Sequence, residues 1–278
     1  MKRREWLAAA LACAVAGARS VAAAEPWRFG LTPVMLDDRL TLLRRWKAYL
    51  DGVVGGDVEF AQRSNYAQIV DGLRGGVVDF AWICGYPYVQ HADEFRLVAV
   101  PVWRGRPLYQ SYLIGAAESK ASGLEDFRGK VFAFSDPLSN SGYLYVRYTL
   151  ARAGLQPSDF FRRTFFTYSH RHVVTAVAEG LADAGSVDGY VWETLAEVLP
   201  GLTRRTRVIA RSGDFGFPPI VAAPHVGPAA FAAVRGALLQ MDRDAAGKQV
   251  LAELRLDGFA PGSPALFDSI AAMARAVA

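Results

Sequence analysis

Short apolar stretches alternate with amphipathic stretches along most of this chain. The apolar stretches predict strands at residues 27–31, 58–60, 80–83, 96–101, 112–114, 131–134, 184–187 and 220–223. The amphipathic stretches predict helices at residues 38–52, 66–75, 86–91, 143–153, 170–179, 191–199, 228–241 and 247–255. This alternation predicts an α/β fold with mainly parallel sheets covered by helices on both faces, in which ligands bind beyond the carboxyl ends of the strands.

The turn between the predicted strand 131–134 and the predicted helix 143–153 is crowded with small hydrogen-bonding residues. Ser139, Asn140 and Ser141 fall in the first turn of that helix. Unpaired backbone N–H groups and the positive end of the helix dipole favour an anion there, and the serine hydroxyls can add donors. The alternative is that Ser139 only caps the helix.

Two turns that lead from a predicted helix into a predicted strand have similar sequences. Predicted helices end at Gly75-Gly76 and at Gly180, and each time the chain then enters a strand through a turn containing an aspartate, Asp79 or Asp183. Glycine suits the left-handed conformation that often ends a helix. Two similar units predict two lobes.

Residues 1–24 have the pattern of a cleavable export signal. Lys2, Arg3 and Arg4 precede an apolar stretch, and a run of small residues ends at Ala24. We expect export and cleavage near Ala24. The pair Arg3-Arg4 leaves two export routes open, the twin-arginine route and the general secretory (Sec) route.

Composition narrows the possible functions. The chain has 278 residues, 52% of them hydrophobic, and a formal net charge of +4. Loss of the leader removes four basic residues and one acidic residue, which lowers that charge to +1. No basic block typical of nucleic-acid binding and no apolar stretch of about 18 residues follows the leader. Of the two cysteines only Cys84 lies outside the leader, which excludes an intramolecular disulfide in the mature chain.

Several segments, in their order and spacing, resemble the periplasmic phosphonate, phosphite and phosphate-type binding proteins of ABC transporters. They lie at residues 29–33, 65–73, 79–82, 109–113, 136–142, 169–170 and 176–180. The resemblance implies the two-lobed type II periplasmic-binding fold, with one lobe from residues 25–107 and 208–278 and the other from residues 108–207. It also implies a periplasmic protein, expected to be a monomer, that captures a small oxyanion by hinge closure and delivers it to an ABC permease.

The resemblance also implies a set of ligand-binding residues, with no cofactor and no metal. They are Tyr66 and Tyr109 from one side of the cleft, Ser139, Asn140, Ser141 and His170 from the other, and Thr32. Cys84 ends a predicted strand, which places it near the cleft by the rule for parallel sheets. If Cys84 touches the ligand, a thiophilic oxyanion such as arsenite enters consideration.

The chain departs from family members that hold an aminoalkyl phosphonate. Those members place carboxylates against the amine, whereas the corresponding positions here fall near Tyr190 and Pro218, which cannot neutralise an ammonium group. A compact oxyanion, or a ligand with an apolar tail, fits better.

Other interpretations stay open at this point. The liganded protein could dock on a membrane sensor kinase instead of a permease. Cys84 and His170 could act as nucleophile and base of an enzyme, although no third group that would orient the imidazole is apparent. Tyr66 and Tyr109 could be packing aromatics. His170 and His172 make a poor metal pair, because two positions apart on a helix they point to different faces.

Overall fold

The computed structural model of the chain describes residues 25–33 and 40–278. The predicted leader and the start of the predicted helix 38–52 lie outside the described residues. The strands are β1 (Trp27–Leu31), β2 (Val58–Gln62), β3 (Phe80–Trp82), β4 (Arg96–Val102), β5 (Leu108–Tyr109), β6 (Ser111–Ala116), β7 (Val131–Phe134), β8 (Arg163–Phe166), β9 (Ala184–Asp188), β10 (Thr206–Arg211), β11 (Phe215–Gly216), β12 (Ile220–Ala222) and β13 (Gly258–Ala260).

The helices fill most of the intervals between the strands. They are α1 (Leu40–Val54), α2 (Tyr66–Arg74), α3 (Gly85–Gln90), α4 (Tyr145–Ala151), α5 (Pro157–Phe160), α6 (His170–Ala178), α7 (Gly189–Val198), α8 (Pro200–Thr203), α9 (Pro228–Leu239), α10 (Ala245–Leu254) and α11 (Asp268–Ala276). A π-helical turn, Asn140–Leu144, leads directly into α4. No helix in the described part of the chain is both long and apolar enough to cross a bilayer.

Two sheets organise these elements. The first has the strand order β13-β4-β12-β3-β1-β2, and the second has the order β10-β6-β9-β7-β8. Each contains parallel pairs, β1 with β2 and β3 in the first sheet and β7 with β8 and β9 in the second. The α/β architecture with helix-covered sheets is therefore confirmed.

The sheets are mixed, where the sequence predicted mainly parallel ones. β12 runs antiparallel to both β3 and β4, and β6 runs antiparallel to both β9 and β10. These strands belong to the stretches in which the chain has just crossed from one sheet to the other. Such a strand is not delivered by a helical crossover within its own sheet, so nothing forces it to run parallel.

The chain passes between the two sheets twice. One passage includes β5 and the other includes β11, and the two strands pair antiparallel with Tyr109 opposite Phe215. This two-stranded ribbon therefore holds the connecting segments side by side.

The repeated glycine and aspartate turns are confirmed as structural equivalents. Gly76 and Gly180 adopt φ angles of 71° and 73°, which favour glycine. Asp79 Oδ2 accepts a hydrogen bond from the backbone N–H of Arg28 at 2.7 Å, and Asp183 Oδ2 accepts one from that of Val131 at 2.8 Å. In each sheet the aspartate therefore ties the turn to the beginning of a parallel strand.

Candidate functional site

A group of polar and ionisable side chains is buried between the two sheets. Its members are Thr32, Tyr66, Cys84, Tyr109, Asp136, Ser139, Asn140, Ser141, His170 and Asp188. Most stand at the start of a helix or just beyond the end of a strand. Burying so many polar groups is costly unless they are hydrogen-bonded, so their partners show what each can do.

The Ser139 side chain both caps a helix and faces an imidazole. Its Oγ accepts a hydrogen bond from the Gly142 backbone N–H at 2.9 Å, which confirms the capping interpretation. The same Oγ lies 3.5 Å from His170 Nε2. Capping is therefore part of its role without excluding contact with a ligand.

Asn140 links this helix start, which follows β7 of the second sheet, to Cys84 beyond β3 of the first sheet and to Tyr109 in β5. Its backbone N–H donates to Cys84 Sγ at 3.2 Å, and its side-chain Nδ2 donates to the Tyr109 hydroxyl oxygen at 2.9 Å. The Tyr109 ring is fixed by contacts with Phe215 and Phe217. Because the tyrosine oxygen accepts from Asn140, its own proton remains available for an acceptor.

Ser141 is held by its backbone carbonyl. That oxygen accepts hydrogen bonds from Ser111 Oγ at 2.7 Å and from Ser186 Oγ at 2.6 Å. Neither serine was predicted from the sequence. The Ser141 hydroxyl has no partner within the described residues, although it is fully buried. A fixed backbone and an unpaired buried hydroxyl would allow Ser141 to donate a hydrogen bond to a ligand.

His170 is a neutral hydrogen-bond donor at its Nε2 atom. Its Nδ1 accepts a hydrogen bond from the Asp188 backbone N–H at 3.1 Å, which places the ring proton on Nε2. Burial lowers the pKa of His170 to about 3. The imidazole is therefore uncharged at neutral pH, and its N–H is directed towards the Ser139 side.

Tyr66 is the first residue of α2, beside the first sheet, and its backbone contacts Asp136, which follows β7 of the second sheet. Its N–H donates to Asp136 Oδ2 at 3.1 Å, while its hydroxyl has no hydrogen bond within the described part of the chain. Burial raises the pKa values of Tyr66 and Tyr109 well above their usual range, so both phenols keep their protons.

Thr32 and Cys84 lie at the carboxyl ends of neighbouring strands β1 and β3. Thr32 Oγ1 donates to the Trp82 carbonyl oxygen at 3.2 Å, and no hydrogen bond among the described residues joins it to the rest of the group. Burial raises the pKa of the Cys84 thiol to about 11. Cys84 is therefore a neutral thiol that contacts the Asn140 backbone.

Asp188 was missed by the sequence analysis. It ends β9 and caps α7, with Oδ1 accepting from the backbone N–H groups of Tyr190 at 2.8 Å and Val191 at 3.3 Å. Burial raises its pKa to about 7. The signal was present, because Asp188 follows a buried strand just as Cys84 does.

Tyr190 and Pro218, which the sequence analysis compared with the acids expected in an aminoalkyl phosphonate binder, are both engaged in hydrogen bonds that hold the fold. The Tyr190 hydroxyl donates to the Leu254 carbonyl oxygen at 2.5 Å, and the Pro218 carbonyl accepts from Trp82 Nε1 at 2.9 Å. Among the described residues, no group of three or more His, Cys, Asp or Glu side chains is arranged to hold a metal ion.

Comparison with known proteins identifies the family to which this chain belongs. The model of the family described as "ABC transporter, phosphonate, periplasmic substrate-binding protein" matches residues 29–267. The chain belongs to this family. The predicted resemblance is therefore confirmed over nearly all of the described residues.

Individual relatives agree with this assignment. The phosphate-import protein PhnD of Mycolicibacterium smegmatis is 37% identical over 148 residues, 49% of this chain, and the match spans only about half of that relative's length, 46%. A binding protein component of an ABC phosphonate transporter from Pseudomonas aeruginosa superposes with a TM-score of 0.82 at 25% identity, covering 90% of this chain and 86% of the other. PhnD1 from Prochlorococcus marinus, solved in complex with methylphosphonate, gives a TM-score of 0.80 at 21% identity, covering 90% and 97%. The fold is thus that of type II periplasmic binding proteins, as predicted.

Proposed function

We propose that this protein captures a small oxyanion of the phosphonate, phosphite or phosphate type in the periplasm and delivers it to an ABC permease. The observation that carries the proposal is the set of neutral donors gathered at one buried point. It comprises the phenols of Tyr66 and Tyr109, the Ser141 hydroxyl and the His170 Nε2–H. An anion held without a formal cation needs several such donors.

We take the lobes that close on the ligand to be residues 25–107 with 208–278 and residues 108–207, as expected from the sequence, with one change of boundary. β10 extends the second of these to Arg211, because the whole strand pairs with β6. The ribbon of β5 and β11 is then the hinge. Contacts from Tyr66 to Asp136 and from Cys84 to Asn140 join the lobes on either side of the donors, which favours a compact ligand.

Export and partners follow the family. We propose that residues 1–24 are a leader cleaved near Ala24, and that the mature protein acts as a monomer without cofactor. A role in binding and not in catalysis is supported by the state of Cys84 and His170. The pKa of the thiol is raised to about 11 and that of the imidazole is lowered to about 3, so neither is poised to form a thiolate pair at neutral pH.

Isothermal titration of the mature protein with phosphate, phosphite, methylphosphonate, sulfate and arsenite tests the proposal. We expect saturable binding of at least one of these oxyanions, weakened roughly tenfold in Tyr66→Phe by loss of one donor. Tyr168→Phe is the matched control, because Tyr168 is 45% exposed. Absence of binding by every oxyanion at millimolar concentration would contradict the proposal.

A further inference from the structure

We infer that Asp188 makes the site selective for oxyanions that carry an ionisable proton, so that hydrogen phosphate binds and sulfate is rejected when the carboxyl is ionised. This inference rests on the proposed function and specifies the ligand class of the same site. Asp188 would be a specificity-determining residue that the family assignment does not supply.

The Asp188 carboxyl is anchored at one oxygen and available at the other. Oδ1 accepts from two backbone N–H groups at the start of α7, while Oδ2 has no hydrogen bond within the described residues. The carboxyl is close enough to the proposed donors to influence them. After burial, its charge is among the causes that raise the pKa values of Tyr66, Cys84 and Tyr109.

The groups that face Asp188 supply no positive charge. Tyr66 from α2, Cys84 at the start of α3 and Tyr109 from β5 interact electrostatically with the carboxyl, and His170 from α6 accepts from the Asp188 backbone N–H at 3.1 Å. The phenols and the thiol stay protonated and the imidazole stays neutral, for the reasons given above. No lysine or arginine in the described part of the chain forms an ion pair with Asp188.

A carboxylate and an oxyanion in one uncharged site repel each other unless a proton lies between them. Either Asp188 holds that proton and donates it, or the ligand's P–OH group donates to the carboxylate. When Asp188 is ionised, only the second arrangement remains. The phosphate dianion still has one P–OH, whereas sulfate has none and the phosphite dianion keeps its hydrogen on phosphorus, where it cannot serve as a donor.

The test is titration calorimetry with phosphate, phosphite and sulfate from about pH 6 to about pH 8.5. Because the Asp188 pKa is raised to about 7, we expect the sulfate affinity to fall by roughly 15-fold between pH 7 and pH 8.5, with a slope that approaches tenfold per pH unit above pH 7. The affinity for phosphite should also fall with rising pH, because phosphite loses its remaining ionisable proton over the same range. Phosphate should change by less than about threefold, since its dianion keeps a donor.

Asp188→Asn is the decisive variant because it can keep the cap of α7. The amide oxygen can accept from Tyr190 and Val191, which directs the NH2 group to the position of Oδ2. We expect the variant to bind sulfate at least about tenfold more tightly than the wild type at about pH 8.5, with little dependence on pH.

Proton uptake gives a measurement on the wild type alone, should the variant fold poorly. Titrations in buffers of different ionisation enthalpy should show one proton taken up per sulfate at about pH 8.5 and none per phosphate. Equal wild-type affinities for phosphate and sulfate at that pH, or unchanged sulfate binding in a folded Asp188→Asn protein, would overturn the inference while leaving the proposed function intact. Failure of all three anions to bind at any pH would instead refute the proposed function.

Discussion

Asp136 Oδ2 accepts a hydrogen bond from the Tyr66 backbone N–H at 3.1 Å, across the boundary between the two halves of the molecule. Asp136 follows β7 of the second sheet, while Tyr66 begins α2 beside the first. The other carboxyl oxygen accepts from the Leu138 N–H at 2.8 Å. A carboxylate of one half therefore docks on the positive helix start of the other, which stabilises the closed arrangement.

Asp136→Asn should weaken oxyanion binding by about fivefold to 30-fold, equivalent to about 1–2 kcal/mol for a partly buried anion at a helix start. The reason is that closure loses a charge-assisted hydrogen bond to Tyr66. Isothermal titration measures the loss. Asp183→Asn is the control, because Asp183 also accepts from a backbone N–H but lies outside the site. Equal affinities for the two variants would show that Asp136 does not contribute to closure.

The two tyrosines should separate binding from stability. Tyr109→Phe leaves Asn140 Nδ2 without its acceptor in a buried position, which costs about 1–3 kcal/mol of unfolding free energy. Tyr66→Phe removes a hydroxyl that has no hydrogen bond within the described residues, so it should lower affinity and leave stability nearly unchanged. Urea unfolding and calorimetry on both variants check this. A similar stability loss in both would contradict the assigned partners.

Much of the fold could be predicted because apolar periodicity reports burial. The predicted strand 131–134 and the helix start at His170 agree with the structure. Five strands and three helices were not predicted. β5, β11, α5 and α8 have only two to four residues each, too few for a periodic pattern. The others give a weak signal for a related reason. β8, β10 and α11 are largely half-buried or exposed, so their apolar signal is weak, and β13 is only three residues long.

The sequence predicted where the candidate site lies better than it predicted the hydrogen bonds within it. Ser139, Asn140 and Ser141 lie beyond a strand end as expected, but the helix there begins three residues early as a π-turn. The turn folds back on the end of β7, where the Ser135 N–H donates to the Gly142 carbonyl oxygen at 3.3 Å, and apolar periodicity does not report such a contact. The bond from Asn140 to Tyr109 likewise depends on how the halves meet. Thr32 was expected in the ligand set and stays a prediction, and local sequence did not indicate that its hydroxyl donates to the Trp82 carbonyl oxygen.

His170 and Asp188 should have opposite effects on stability in acid. The pKa of His170 is lowered from 6.5 to about 3, so the unfolded chain gains a proton first and stability falls as pH drops below about 6.5. The pKa of Asp188 is raised from 3.8 to about 7, so the folded chain gains a proton first and stability rises as pH drops below about 7. The two contributions cancel between about pH 6.5 and pH 4.

Asp188→Asn should remove that cancellation. Relative to the wild type, the ligand-free variant should lose about 1.4 kcal/mol of unfolding free energy per pH unit between about pH 6.5 and pH 4. Urea denaturation at several pH values measures the difference. His170→Asn should change the slope in the opposite direction. Parallel stability curves for the wild type and both variants would mean that the two groups are not buried as described.

Cys84 should report closure through its reactivity. The thiol is buried, contacts the Asn140 N–H and has its pKa raised to about 11, so the closed form should react poorly with thiol reagents. A bound oxyanion that favours closure should slow labelling by more than about tenfold. Reagent kinetics with and without ligand measure this, and urea-unfolded protein gives the unprotected rate. Labelling unaffected by saturating ligand would contradict a hinge that closes over Cys84.

Gly142 should be intolerant of any side chain. A Cβ there would lie 1.8 Å from Ser135 Oγ and 2.8 Å from Ser135 Cβ, distances that packed atoms do not reach. Gly142→Ala should therefore cost about 1–3 kcal/mol of unfolding free energy and displace the π-turn that carries Ser141. Gly201→Ala is the control, because its Cβ would meet nothing within 4 Å. Ser135 Oγ has no hydrogen-bond partner among the described residues, so adding Ser135→Gly to Gly142→Ala removes the clash with Ser135 without breaking a described bond. The double variant should recover most of the stability and the phosphate binding, because the remaining close contact of the new Cβ, with His170 Cε1 at 3.0 Å, is much milder. A double variant that recovers neither would show that the damage does not arise from the contact with Ser135.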